Sequence, residues 1–157
     1  MALEKATFGM GCFWHSEEVF NRVPGVVGTA VGFMGGTKEN PSYREVCTGR
    51  TGHAEVVEVT YDSEKITYGR LLEIFWANID PTVKDMQGPD AGTQYRTVIF
   101  YHSKEQGTLA ARSKEELERS GKYRRPIVTQ IVPASKFWRA EEHHQRYSEK
   151  MGGSCRV

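Results

Sequence analysis

Three observations predict an α+β fold, a ferredoxin-like two-layer sandwich with a β-α-β-β-α-β core and an added C-terminal helix, strand and helix. The chain has 157 residues, enough for one well-buried domain and too few for two ordinary ones. Apolar strand-like runs alternate with segments repeating at helical spacing, in the order strand, helix, strand, strand, helix, strand through Tyr101. That is the order of the split βαβ unit, whose helices cover one face of an antiparallel sheet. No repeat, low-complexity block or linker breaks the pattern. Residues 1–157 therefore read as one domain, with a flexible glycine-rich tail at 151–157.

Residues 6–10 form a short apolar run, Gly9 and Gly11 permit a sharp turn, and Phe13, Val19, Phe20 and Val23 recur at helical spacing. Pro24-Gly25 ends that unit, and residues 26–34 read as a glycine-rich strand. A loop follows through Gly35-Gly36 and Asn40-Pro41-Ser42. Over residues 54–61, Val57, Val59 and Tyr61 alternate with Glu58 and Thr60, which fits a strand with one wet face. Leu71, Leu72, Phe75, Trp76 and Ile79 mark a helix over 68–79, ended by Asp80-Pro81. Residues 82–94 are a polar loop, 95–101 a strong apolar strand, and 104–119 a charged helix with a thin apolar stripe. A last strand is expected at 127–132 and a last helix at 137–151.

Charge and cysteine usage narrow the function. Lys and Arg total 21 against 20 Asp and Glu, a net charge of +1, so no global field favours nucleic acid or an anionic membrane. No apolar run approaches the roughly 20 residues that cross a bilayer, and the N-terminus lacks a basic segment followed by an apolar one. A cytoplasmic protein is expected. Three cysteines, Cys12, Cys47 and Cys155, are too few for a disulfide scaffold, and no CxxC pair suggests zinc. They read as free thiols or transient redox partners.

The turn Gly11-Cys12-Phe13-Trp14 carries the chemistry. A thiol at a helix N-terminus meets unpaired amide donors and the positive end of the dipole, both of which favour the nucleophilic thiolate. The plainer reading is a small core cysteine. Two polar, glycine-punctuated loops follow, 40–49 leading to Glu55 and 87–96 leading into a strand, each with a tyrosine and a carboxylate. Loops meeting at one end of a sandwich would bring a thiol, two carboxylates and two phenols into one pocket.

GCFW at 11–14 with Glu17, NPSY at 40–43, GHAE at 52–55, DPT at 80–82, QGPDAGTQYR at 87–96 and AEEHHQRY at 140–147 together resemble the A-type peptide methionine sulfoxide reductases over nearly the whole chain. The resemblance implies thiol-dependent reduction of free or protein-bound methionine S-sulfoxide, with no cofactor and no metal. Cys12 matches the nucleophile, and Glu55 the acid that protonates the departing oxygen. The phenols of Tyr43 and Tyr95 would hold that oxygen, and Asp90 would order the polar side of the pocket. Phe13 and Trp14 match the apolar wall around the substrate methyl group. Cys155 is implied as the resolving thiol, with thioredoxin as reductant, whereas Cys47 matches a nonresolving position. One tail cysteine stands here where longer members carry two, so a single resolving step is expected. His53, His143 and His144 read as structural or surface histidines: His53-Ala54-Glu55 has the HxE shape of a zinc deaminase, but PCxxC is absent. A cysteine hydrolase or acyltransferase and a noncatalytic ferredoxin-like binding module, an RNA binder included, are the rival classes, and neither accounts for the ordered motifs as well.

Overall fold

The computed structural model describes residues 2–145. Its elements are β1 (Leu3–Met10), α1 (Phe13–Asn21), β2 (Val26–Met34), α2 (Tyr43–Cys47), β3 (Ala54–Asp62), α3 (Tyr68–Ala77), β4 (Met86–Gln87), β5 (Asp90–Ala91), β6 (Thr97–Tyr101), α4 (Lys104–Arg119), β7 (Gln130–Pro133) and β8 (Trp138–Arg139). Single 3₁₀ turns occupy Thr93–Tyr95 and Glu142–His144. Six strands form one sheet in the order β7-β6-β1-β3-β2-β8. Every pairing is antiparallel except β6 with β7, so this is a mixed α+β fold on a mostly antiparallel sheet.

Side-chain parity along the strands places the core. Ala6, Phe8 and Met10 point to the helical face of β1 and are fully buried. Phe8 stacks at 5.2 Å on both Phe20 of α1 and Phe75 of α3, so one phenylalanine joins the central strand to two helices. Burying such a side chain contributes about 1.5–3 kcal/mol. On the opposite face Met34, Ala54, Val56, Val98 and Phe100 make a smaller cluster, over which Val132, Ala134 and Phe137 pack. The expected wet face of β3 is thus confined to its second half, where Glu58 and Thr60 are half-buried.

The largest correction concerns 137–151, expected as a helix. Its described part, 137–145, contains β8 and a 3₁₀ turn instead. Phe137, Trp138 and Ala140 are apolar because they pack along the edge of β2. Gly32 permits that approach, since a Cβ there would stand 2.3 Å from the Trp138 carbonyl. The buried Gln145 amide then accepts from the Val31 N–H at 2.8 Å and donates to the Val31 and Ala140 carbonyls at 2.9 Å. Residues 43–47, expected in a loop, form α2. Its start is fixed by a capping box in which Ser42 Oγ accepts from the Glu45 N–H and Glu45 accepts from the Ser42 N–H. The polar loop over 82–94 contains the β4–β5 hairpin, and β6 begins at Thr97 rather than Tyr95 because the 3₁₀ turn occupies 93–95. Cys155 and the tail at 151–157 lie outside the described residues. Among the described residues no helix is long and apolar enough to cross a membrane.

Candidate active site

Cys12 stands where β1 becomes α1. Gly11 takes φ +90°, a left-handed conformation open to glycine at little cost, and the chain turns so that Cys12 is the N-cap residue of α1. Its carbonyl accepts from the His15 and Ser16 N–H groups at 3.2 Å, and the residue is 6% exposed. The thiol therefore sits at the positive end of a nine-residue helix, the setting that favours a thiolate.

Glu55 reaches the same point from β3. Its parity is that of Val57, Val59 and Tyr61, all on the helical face, and it is 1% exposed. Its Oε1 accepts the Phe13 N–H at 3.1 Å, an amide that the first turn of α1 leaves without an intrahelical partner. The carboxyl is thus fastened to the residue next to Cys12.

Two phenols feel charge from this pair. Tyr43 opens α2 and Tyr95 ends the 3₁₀ turn after the hairpin. Burial, followed by the charges of Glu55, Cys47 and Tyr95, pushes the Tyr43 phenol well above its usual range. Burial raises Tyr95 too, followed by Glu55, Cys47, Asp90 and Cys12. Both phenols stay protonated donors at neutral pH, and the groups acting on Tyr95 bring together the thiol and both carboxylates expected from sequence. Cys47, matched from sequence to a nonresolving position, is exposed but belongs to this cluster. Burial of its sulfur raises its pKa most, the hydrogen bond with Tyr43 lowers it, and Glu55 raises it. The i, i+4 spacing of Tyr43 and Cys47 on α2 makes that contact, a signal hidden while α2 was read as a loop.

Phe13 and Trp14 form the apolar side with Tyr43. Trp14 lies nearly parallel to Tyr43 at 5.9 Å, and Phe13 to Tyr43 at 5.8 Å. His144 completes the group, its ring 4.4 Å from Tyr43 and 5.6 Å from Trp14. Glu141, His143 and His144 bring possible ligand atoms within 4.8 Å of one another. The Trp14 indole N–H, however, donates to His144 Nδ1 at 3.1 Å. An indole is only a donor, so His144 Nδ1 accepts with its lone pair and Nε2 carries the proton. His53 is structural as expected: Nδ1 accepts from the Gly36 N–H and Nε2 donates to the Lys38 carbonyl.

Sequence reading gave Arg96 no role and took His144 as a structural or surface histidine. The Arg96 guanidinium donates to the Thr93 and Gly52 carbonyls, both at 2.9 Å, tying the turn that carries Tyr95 to the loop before Glu55. An open groove of about 1110 Å³ runs between α4 and β7, and none of the site residues lines it.

The model of the family "Peptide methionine sulfoxide reductase" matches residues 4–157. The chain is 66% identical to the peptide methionine sulfoxide reductase MsrA of Methanoculleus marisnigri, over 99% of this chain and 96% of that one. Among solved structures it is similar to methionine sulfoxide reductase A of Corynebacterium diphtheriae, with TM-score 0.87 and 39% identity, covering 98% of this chain and 78% of that one. It is also similar to Mxr1 from Saccharomyces cerevisiae in complex with Trx2, with TM-score 0.66 and 26% identity, covering 90% and 84%. The α+β scaffold brings a buried thiol, an adjoining carboxyl and two neutral phenols together, and the chain is an oxidoreductase. The chain belongs to the peptide methionine sulfoxide reductase family.

Proposed function

We propose that this oxidoreductase reduces the S epimer of methionine sulfoxide, free or within proteins, through a Cys12 sulfenic acid and an intramolecular disulfide that thioredoxin reduces. The observation that carries the reading is the Phe13 N–H to Glu55 hydrogen bond of 3.1 Å, which holds the acid beside the nucleophile. Oε1 accepts that bond, so the buried carboxyl is fixed where it can give a proton to an oxygen beside Cys12.

The Cys12 thiolate attacks the sulfoxide sulfur as the oxygen takes the Glu55 proton and is held by the Tyr43 and Tyr95 hydroxyls. The hydroxyl then passes from the substrate sulfur to the Cys12 sulfur as the bond between the two sulfurs breaks, giving methionine and Cys12–SOH with Glu55 left ionised. Asp90 orders the polar side of the pocket. Phe13 and Trp14 receive the methyl group, so their bulk selects the epimer. Cys155 then condenses with the sulfenic acid, releasing water and forming the disulfide. Cys155 lies ten Cα steps beyond Gln145, which is anchored on β2, and ten steps reach at most about 36 Å. The residue before that span, His144, bonds Trp14 in the first turn of the helix that Cys12 caps, which supports the assignment. The Trx2 complex of a related fold supports thioredoxin as reductant.

The split βαβ order accounts for the scaffold: β6-β1-β3-β2 is the four-strand antiparallel core of a ferredoxin-like sandwich, with β7 and β8 added at its edges. Incubating enzyme and dithiothreitol with racemic methionine sulfoxide, with both epimers resolved, tests the function. Loss of the S epimer alone is expected; loss of the R epimer alone, or release of an acyl product without reductant, contradicts it.

A further inference from the structure

We propose that His144 is a positioning residue for substrate recognition, holding the Trp14 indole in the pocket wall through its Nδ1 lone pair. The inference rests on the reading of Phe13 and Trp14 as the wall for the sulfoxide methyl group. The bond joins residues 130 positions apart, bringing the C-terminal 3₁₀ turn onto α1.

His144 is 4% exposed, and its contacts fix the ring on several sides. Trp14 donates to Nδ1 at 3.1 Å. Nε2 faces Glu141 Oε2 at 3.4 Å, and Glu141 Oε1 accepts the Tyr43 N–H at 3.3 Å. Tyr43 and Trp14 pack against the imidazole at 4.4 and 5.6 Å, and His143 lies 4.0 Å away. Trp14, His144, Glu141 and Tyr43 therefore form one chain of contacts joining the N-termini of α1 and α2, which carry the nucleophile and a phenol. Burial and the neighbouring His143 lower the affinity of His144 for a proton, and Glu141 opposes them without prevailing. The ring is neutral at pH 7, as an acceptor for an indole must be.

An indole pinned at its N–H presents the same face to every substrate, whereas one held by stacking alone must be ordered as substrate binds. Losing the pin should appear in substrate affinity before chemistry, on the scale of one hydrogen bond, roughly three- to tenfold.

Three variants test this. His144→Phe keeps a stacked ring and removes the acceptor; His144→Asn restores an acceptor near the Nδ1 position; Trp14→Phe removes the donor. Steady-state kinetics on methionine S-sulfoxide with dithiothreitol, and the ¹⁵N–¹H indole signal of Trp14, are the readouts. His144→Phe is expected to raise KM three- to tenfold with kcat changed less than twofold and to shift the indole signal. His144→Asn should recover most of both. In a Trp14→Phe background, His144→Phe should add nothing to KM. An equal KM penalty from His144→Phe with and without Trp14 overturns the inference, because His144 would then act by another route. A Trp14→Phe variant with wild-type KM overturns the wall reading, and the inference with it, whatever the indole signal shows.

Discussion

Replacing Glu55 with Gln separates the chemical role of this side chain from its structural one. The amide oxygen of Gln still accepts the Phe13 N–H now bonded at 3.1 Å, so the start of α1 and the thiol above it should keep their geometry. The acidic proton is lost, because an amide NH₂ does not transfer one at neutral pH. Removing a positioned general acid slows a reaction by about 10²- to 10⁴-fold, and 10²-fold corresponds to about 2.7 kcal/mol of barrier. Glu55→Leu instead leaves the Phe13 amide without an acceptor and costs about 1–3 kcal/mol of stability as well. Rapid-quench measurement of methionine formed in one turnover reads the chemical step, iodoacetamide labelling of Cys12 reads the thiol, and thermal unfolding reads the fold. The expected pattern for Glu55→Gln is a single-turnover rate down at least 10²-fold, labelling within a few-fold of wild type and little change in Tm. A wild-type rate makes Glu55 a bystander; a rate loss matched by lost labelling makes it a structural residue.

The other predictions concern recycling, the second thiol and the C-terminal anchor. Cys155→Ser should yield one equivalent of methionine per enzyme and then stall with thioredoxin, while dithiothreitol partly restores turnover; a Cys12–Cys47 disulfide in peptide maps of oxidised wild-type enzyme would assign resolution to the α2 thiol instead. Alkylation of Cys47 in a Cys12→Ser, Cys155→Ser background should rise with pH through a midpoint above the ordinary thiol value of about 8.5, because burial and Glu55 both disfavour its thiolate. Glu55→Gln should lower that midpoint and Tyr43→Phe raise it; no response to either places Cys47 away from the site. Gln145→Leu removes three buried hydrogen bonds and orphans the Val31 N–H, so the urea midpoint should fall by the equivalent of about 2–3 kcal/mol with m unchanged. An unchanged midpoint means that β8 is held by its apolar contacts alone.

Local chemistry was legible in the sequence, and long-range convergence much less so. The change from a strand run to helical spacing across Gly11-Cys12 placed the thiol at a helix start, because both periods can be read within a dozen residues. Burial of Glu55 was also encoded, by its shared parity with Val57, Val59 and Tyr61 on β3, although a carboxylate at a strand end usually reads as solvated. Residues 137–145 misled the periodicity because apolar spacing reports only that side chains are covered, and here an edge strand against Gly32 covers them. The five-residue helix α2 was too short for a periodic signal, so its capping box was the one local sign and the approach of Cys47 to Tyr43 went unseen. His144 met Trp14 through tertiary packing alone, across 130 residues that no local pattern connects.

The central claim is that Cys12 itself takes the sulfoxide oxygen. Single-turnover mass spectrometry of reduced enzyme with methionine S-sulfoxide, with sulfenic acids trapped by dimedone, tests it directly in a Cys155→Ser background. The account predicts one equivalent of released methionine and one dimedone adduct, on Cys12, and neither product after a further Cys12→Ser change. Methionine formed at wild-type yield without Cys12, or an adduct on Cys47 instead, would contradict it.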